Sequence, residues 1–267
     1  MRPFAVIRSE FTKLLTTRLW WILAIILVVY VAFCAGGLAG IFAGVGTRAG
    51  GPVVPEAALP QLIYSFASSV GYVFPVLLGA LAVTTEFRFQ SLTPTFLAQP
   101  RRGVVLGAKL VALLVAGAVF GVLALAGSMG VGGGILAAFG VDTQLGTPEV
   151  WAFVGRTVLA MALWAAIGVG LGALVPSQVA AIVIVLAFTQ FLEPLLRVGA
   201  SFTDWSAQIA QFLPGAASDA LVGGTIFTAM GTGGAGLEWW QGGLVQAAIA
   251  AVTTALGYLT SWRRDVS

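Results

Sequence analysis

Six apolar runs, each close to the length that crosses a bilayer, limit what this chain can become. They lie near 19–41, 61–83, 106–130, 151–175, 179–197 and 241–261. Roughly 20 apolar residues in a helix span ~30 Å of hydrocarbon. Outside the runs little chain is left, so a single transmembrane domain over 1–267 is expected, with no separate soluble domain. The chain is 59% hydrophobic and only 9% charged, with a mean hydropathy of +1.00. Charge that sparse cannot cover a water-facing surface. The fold class is therefore an all-α integral membrane protein with six transmembrane helices. The first run is too long for a signal-peptide core, and Phe33 before Cys34 spoils a lipoprotein-type cleavage site, so the run is expected to stay in the protein.

Several chemistries drop out. One Cys and no His remove an intrachain disulfide, a His/Cys metal site and a Cys–His nucleophile. An intramembrane hydrolase would need a nucleophile–base pair or paired carboxylates at depth, and none is legible, so no enzyme activity is expected. "GVVLGAKL" (103–110) imitates a phosphate loop, but Ala108 replaces the second glycine and Leu110 the magnesium-binding hydroxyl. Glu193, Arg197 and Arg156 read as span-end residues, leaving mid-span positions uncharged. That argues against a self-powered carrier, although Thr189 and Gln190 leave hydroxyl and amide groups available.

Charge sets an orientation. Counted by alternate sides of the six spans, one side holds 10 Lys/Arg (Arg2, Arg8, Lys13, Arg18, Arg88, Arg101, Arg102, Lys109, Arg263, Arg264) and the other 3 (Arg48, Arg156, Arg197). The excess predicts that the first side, with both termini, is cytoplasmic. The protein is then expected to be multi-pass in the plasma membrane, which for a bacterium is the inner membrane.

Four connecting features carry further expectations. In 1–18, Phe4, Ile7, Phe11, Leu14 and Leu15 share one helical face while Arg8, Glu10 and Lys13 fall elsewhere. This predicts an amphipathic helix on the inner leaflet, against the plainer alternative of flanking residues that fix topology. Four-residue glycine spacings (Gly36/Gly40, Gly117/Gly121, Gly168/Gly172) suit close helix packing inside the bundle or, alternatively, a dimer seam. "VPSQ" (175–178) forces spans four and five into a hairpin. In 198–240, Pro214 and Gly215 break two short apolar stretches. The segment reads as two half-helices re-entering the outer leaflet, or as a flat external cap.

The connector "TTEFRFQSLTPTFLAQPRRGVVLGAKL" (84–110) concentrates charge in a chain that has little. Thr93 can cap a short helix with Pro94 first, and Pro100 ends it. Phe96 and Leu97 would then face water, each worth roughly 1.5–3 kcal/mol if a partner buried it. Alternatively, they tuck into the bilayer surface while the cations only fix topology.

These residues carry a resemblance. Glu86-Phe87-Arg88, Ser91-Leu92, Pro94-Thr95-Phe96-Leu97, Pro100-Arg101-Arg102 and Lys109 resemble the segment after the second span of ABC-2-type ABC transporter permeases, especially actinobacterial ones. Glu10, Lys13-Leu14 and Arg18 fall in register with that family's amphipathic N-terminal helix. The resemblance implies a permease subunit of an ATP-driven exporter. It implies a cytoplasmic coupling segment over 84–105 in which Glu86, Arg88, Thr93, Pro94, Phe96, Leu97, Pro100, Arg101 and Arg102 meet a separate ATPase. Glu10, Phe11, Lys13 and Leu14 would brace the interfacial helix, and Pro214 and Gly215 would shape the external re-entrant segment. The implied partners are an ABC ATPase subunit, a second permease chain, identical or homologous, and the lipid bilayer, without nucleic acid. ATP and magnesium would bind the ATPase, leaving no cofactor on this chain. An apolar path suggests amphiphilic or hydrophobic cargo such as a drug, peptide antibiotic or lipid. The alternatives are a non-transport membrane subunit, sensor-associated or an assembly factor, and a secondary carrier.

Overall fold

The structure, a computed structural model, describes residues 3–45, 55–200, 202–224 and 236–262. Among these the regular structure is helical, without strands. Six helices are long and apolar enough to cross a membrane. In chain order they and the short helices are α1 (Pro3–Thr16), α2 (Leu19–Gly44), α3 (Glu56–Arg88), α4 (Leu92–Ala98), α5 (Arg102–Ala138), α6 (Pro148–Leu174), α7 (Gln178–Ala200), α8 (Asp204–Ala210), α9 (Pro214–Val222) and α10 (Trp239–Trp262). Each spanning helix outruns the apolar run that announced it, because a helix continues into polar residues as long as its backbone stays paired. Arg48, Arg2, Arg263 and Arg264, used in the orientation count, lie outside the described residues.

The helices alternate direction. The base of α1, α4, the start of α5 and the end of α10 gather at one end, here the near end. There Trp262 Nε1 donates to the Arg102 carbonyl at 3.1 Å. At the far end the Tyr64 hydroxyl donates to the Thr143 carbonyl at 2.9 Å. Ser177 Oγ accepts from Ala180 N–H and starts α7 directly after α6, which gives the hairpin that "VPSQ" predicts.

Helix α6 is the hub, packed against α3, α5 and α10. Glycine makes this possible. A Cβ on Gly168 would stand 2.1 Å from the Val76 carbonyl oxygen, and one on Gly117 2.7 Å from the Met161 carbonyl oxygen. Gly117/Gly121 and Gly168/Gly172 therefore work inside the bundle, as does Gly36 against Val131, whereas Gly40 has open space beside it.

Two irregularities shape the far half. Helix α3 breaks at Ser65 and again over 70–72. The second break precedes Pro75, whose ring would clash with the Gly71 carbonyl in an unbroken helix. Helix α7 widens to a π turn over Phe188–Leu192. Its buried stripe runs Ala181, Val185, Thr189, Glu193, Arg197, in steps of four. A regular helix drifts off such a stripe, and the wide turn brings it back.

Candidate functional site

The near end carries the residues singled out in the 84–110 connector. Helix α3 closes with its last turn capped by Gln90 at φ 52°. Gln90 N–H donates to Phe87 O at 3.2 Å and Ser91 N–H to Glu86 O at 3.1 Å, the paired bonds of a Schellman motif. This turn aims α4. The helix starts two residues earlier than the sequence suggests: Ser91 stands at the N-cap, without a side-chain cap, and Thr93 and Pro94 fall inside the first turn. Proline is tolerated there because first-turn N–H groups have no intrahelical acceptor.

Phe96 and Leu97 part company. Leu92 is fully buried. Phe96 is half-buried, edge-on to Trp262 at 5.7 Å, with the Arg102 guanidinium 4.9 Å over its ring. Phe87 also meets Trp262 edge-on at 5.7 Å. Leu97 is 80% exposed, and Thr93, Pro94, Ala98, Pro100 and Arg101 are exposed around it. The knob expected from two residues is therefore Leu97, while Leu92 and Phe96 fasten α4 to the bundle. Arg88 donates to the Gln178 side chain at 2.9 Å, tying α3 to α7.

Glu86 does not stand in the surface rim beside Arg88 and Arg101. It is buried and belongs to a four-charge square with Glu10, Lys13 and Lys109. Lys13 Nζ lies 2.7 Å from Glu10 Oε1 and 2.9 Å from Glu86 Oε1. Lys109 Nζ lies 2.5 Å from Glu10 Oε2 and 3.1 Å from Glu86 Oε1. Two acids and two ammonium groups cancel, which suits burial. Burial pushes the Glu10 carboxyl up, but the Lys109 and Lys13 ammonium groups outweigh it and hold Glu10 below its ordinary value. Burial likewise pushes Lys13 down, and the Glu86 and Glu10 carboxylates outweigh it and hold Lys13 above its ordinary value.

The square also settles which face of α1 turns inward. Val6 and Glu10 are buried, Ile7, Phe11 and Leu14 are half-buried, and Phe4 and Leu15 are exposed. The apolar face is thus split between bundle and exterior. Beside the square, a cavity of about 530 Å³ runs between apolar Leu14, Leu19, Leu78, Leu81 and Leu113 and cationic Arg18 and Arg88.

A second polar cluster lies in the far half, where the span-end reading fails for Glu193, seven residues short of the end of α7, and holds for Arg197, three residues short of it. Helix α7 runs to Ala200, so Glu193 and Arg197 lie within it, both buried. Arg197 Nη1 is 2.6 Å from Asp219 Oδ2 on α9, and its Nε is 3.3 Å from Glu193 Oε1. Ala216 N–H, in the first turn of α9, donates to Glu193 Oε1 at 3.0 Å. Gly215 is no joint between half-helices. It sits in the first turn of α9, where a Cβ would come within 2.5 Å of that carboxylate. Pro214 opens α9 at a position where its missing N–H is harmless. Trp164 Nε1 donates to Ser218 Oγ at 3.0 Å and stacks on Tyr72 at 4.7 Å. The Tyr72 hydroxyl donates to the Thr189 carbonyl at 3.0 Å.

Asp219 and Ser218 gave no signal of their own, being two polar residues in a mixed connector. Glu193 and Arg197 did, since with Thr189 they continue the stripe of Ala181 and Val185. Among the described residues no group of three or more His, Cys, Asp or Glu converges as a metal site would require. Comparison with protein-family models finds no match to the chain, and comparison with curated proteins finds none.

Proposed function

We propose that this chain is the permease subunit of an ATP-driven exporter of the ABC-2 type, with α4 as its coupling helix at the cytoplasmic face. The reading rests on the resemblance of 84–110 to that family, and one observation supports it above others. Leu97 is presented outward on a helix that Leu92 and Phe96 bolt to the ends of α3, α5 and α10. A push on Leu97 would reach three spanning helices at once, as rigid bodies. An apolar side chain exposed in water is a cost that a docking partner would remove. In this reading the partner is a separate ATPase subunit, which holds ATP and magnesium. A second permease chain, identical or homologous, completes the path.

The helix α1 would lie along the inner leaflet, its outward Phe4 and Leu15 in lipid and its Glu10 and Lys13 anchoring it to α3 and α5. Helix α9, buried against α6 and α10, would be the inner limb of an external re-entrant segment, with α8 at the membrane surface. The cargo would be amphiphilic or hydrophobic. An apolar groove of about 510 Å³ between α5, α6 and α10 and the near-end cavity of about 530 Å³ both have the size of small-ligand pockets.

The test is reconstitution with the partner ATPase, which this reading expects to be encoded beside the chain and to co-purify with it. Leu97→Asp should leave insertion and thermal stability unchanged, because the residue is exposed, and should lower permease-stimulated ATP hydrolysis at least tenfold. Unchanged stimulation would remove α4 from the coupling path. Phe96→Asp is the poorer probe, since it would also break the packing on Trp262. A second reading has one observation in its favour. The buried Glu193–Arg197–Asp219 cluster is the type of group on which proton-driven carriers depend. Transport that follows a proton gradient in vesicles without the ATPase would select it.

A further inference from the structure

The far-half cluster is not charge-balanced. At ~1.5 Å per residue, Glu193 lies ~22 Å along α7 from Gln178, inside a hydrocarbon layer of ~30 Å. Among the described residues the charged groups around it are Arg197 on its own helix and Asp219 on α9, two carboxylates against one guanidinium. Tyr72 on α3 is the remaining titratable side chain against it. Arg156 on α6 lies one turn further out, near Gly223 and 4.9 Å over the Trp239 ring. Among the described residues the four-charge square at the near end closes on zero, and this cluster closes on minus one.

The two carboxylates differ. Asp219 has the 2.6 Å bond to Arg197, which makes them the natural ion pair. Glu193 has a 3.3 Å approach from Arg197 Nε and the Ala216 N–H, both on Oε1, and the Gly215 N–H also points at the carboxylate. Glu193 is 2% exposed, and its Oε2 has no hydrogen-bond partner. Ser69 Oγ, also buried, has none either. Both residues line one cavity of about 20 Å³, room for a single water. A lone ionised oxygen here would carry the full desolvation penalty of a buried charge.

We propose that Glu193 is a proton-binding site: it holds a proton on Oε2 while α9 is docked. The step is simple. The carboxylate takes up one hydronium proton from solvent and releases water, a neutral acid forms, and the cluster becomes electrically neutral. Oε1 keeps its bonds as acceptor, and the new O–H becomes a donor into the cavity that Ser69 shares. A sodium ion could supply the same positive charge, but the guanidinium beside it would repel an ion, whereas it tolerates a neutral acid. The site makes the docking of α9 on α7 depend on one proton. The inference stands on burial and charge count, and does not rest on the exporter reading.

Infrared difference spectroscopy of the purified full chain in lipid tests this directly. The carbonyl stretch of a protonated carboxyl should be present in the wild-type protein at pH 7 and shift on exchange into heavy water. It should vanish in Glu193→Gln and weaken in Asp219→Asn, where Glu193 alone is left to balance Arg197. Glutamine keeps the size and the Oε1 acceptor, so the variant should elute and melt like the parent. No protonated carboxyl in the wild-type protein at pH 7 overturns the proposal, and that measurement needs no variant to fold. A band that survives Glu193→Gln, or that sodium removes at constant ionic strength, overturns it too.

Discussion

Gln90 holds a backbone conformation that suits glycine. Its φ of 52° is left-handed, where a Cβ crowds the carbonyl and costs roughly 1–2 kcal/mol. The carbonyls of Phe87, bonded by the Gln90 N–H, and Glu86, bonded by the Ser91 N–H, belong to the turn that aims α4. Gln90→Gly removes the crowding, and the extra freedom glycine gives the unfolded chain offsets part of the gain. The expected result is a stabilisation of about 0.5–1 kcal/mol, read from thermal or denaturant unfolding in micelles, with α4 unmoved. A loss of stability would mean that the Gln90 side chain contributes something its backbone geometry does not reveal. The same turn explains why Thr93 misled as a cap. A hydroxyl residue followed by proline is a sound local signal, but the Schellman turn delivers the chain in helical conformation by Ser91, so α4 needs no side-chain cap there.

At the scale of elements, the near-end square joins three helices through four charges that the sequence scatters over positions 10, 13, 86 and 109. Lys109 is 3% exposed, and removing one partner of a buried network strands the others. Lys109→Met should cost about 3–5 kcal/mol in unfolding experiments, and adding Glu10→Gln should recover a good part of it, because Lys13 and Glu86 remain as a pair. The pH dependence has two edges. Glu10 is held below its ordinary 4.5, so its contribution is full above that value and is lost as pH falls through the lowered one. Lys13 is held above its ordinary 10.5, so its contribution is full below that value and is lost as pH rises through the raised one. Anchoring of α1 should be flat between the two, and Glu10→Gln should remove the acid edge. The spanning helices were legible because twenty apolar residues in a row have few other uses. The amphipathic pattern of α1 was legible as a helix, but not its inward face, since Glu10 turns inward only because Lys109 waits there. The cluster on α7 and α9 was hidden for the same reason. Glu193 and Arg197 can be read as one stripe with Thr189, but nothing local says that a connector helix carrying Asp219 will pack beside them. Reading charges with the same period as the apolar residues would have found half of that site.

The whole molecule is polarised along its long axis. Among the described residues Arg8, Lys13, Arg18, Arg88, Arg101, Arg102 and Lys109 lie toward the near end, and Arg156 and Arg197 toward the far end. Short cation-rich connectors stay on the cytoplasmic side of a membrane, so the near end should face the cytosol. The far-half cluster would then sit nearer the outside, where its proton is exchanged with the exterior more readily than with the cell. The geometry offers a clean measurement, because Cys34 is the one cysteine in the chain. In a Cys34→Ser background, Leu97→Cys places a thiol on the exposed face of α4. Gly146→Cys places one in the far-end connector before α6, where a Cβ meets nothing within 4 Å. A membrane-impermeant maleimide applied to intact cells or spheroplasts should label Gly146→Cys and reach Leu97→Cys only after the membrane is opened. The reverse pattern would put α4 outside, beyond the reach of any ATP-burning partner, and the charge asymmetry would then need another explanation than topology.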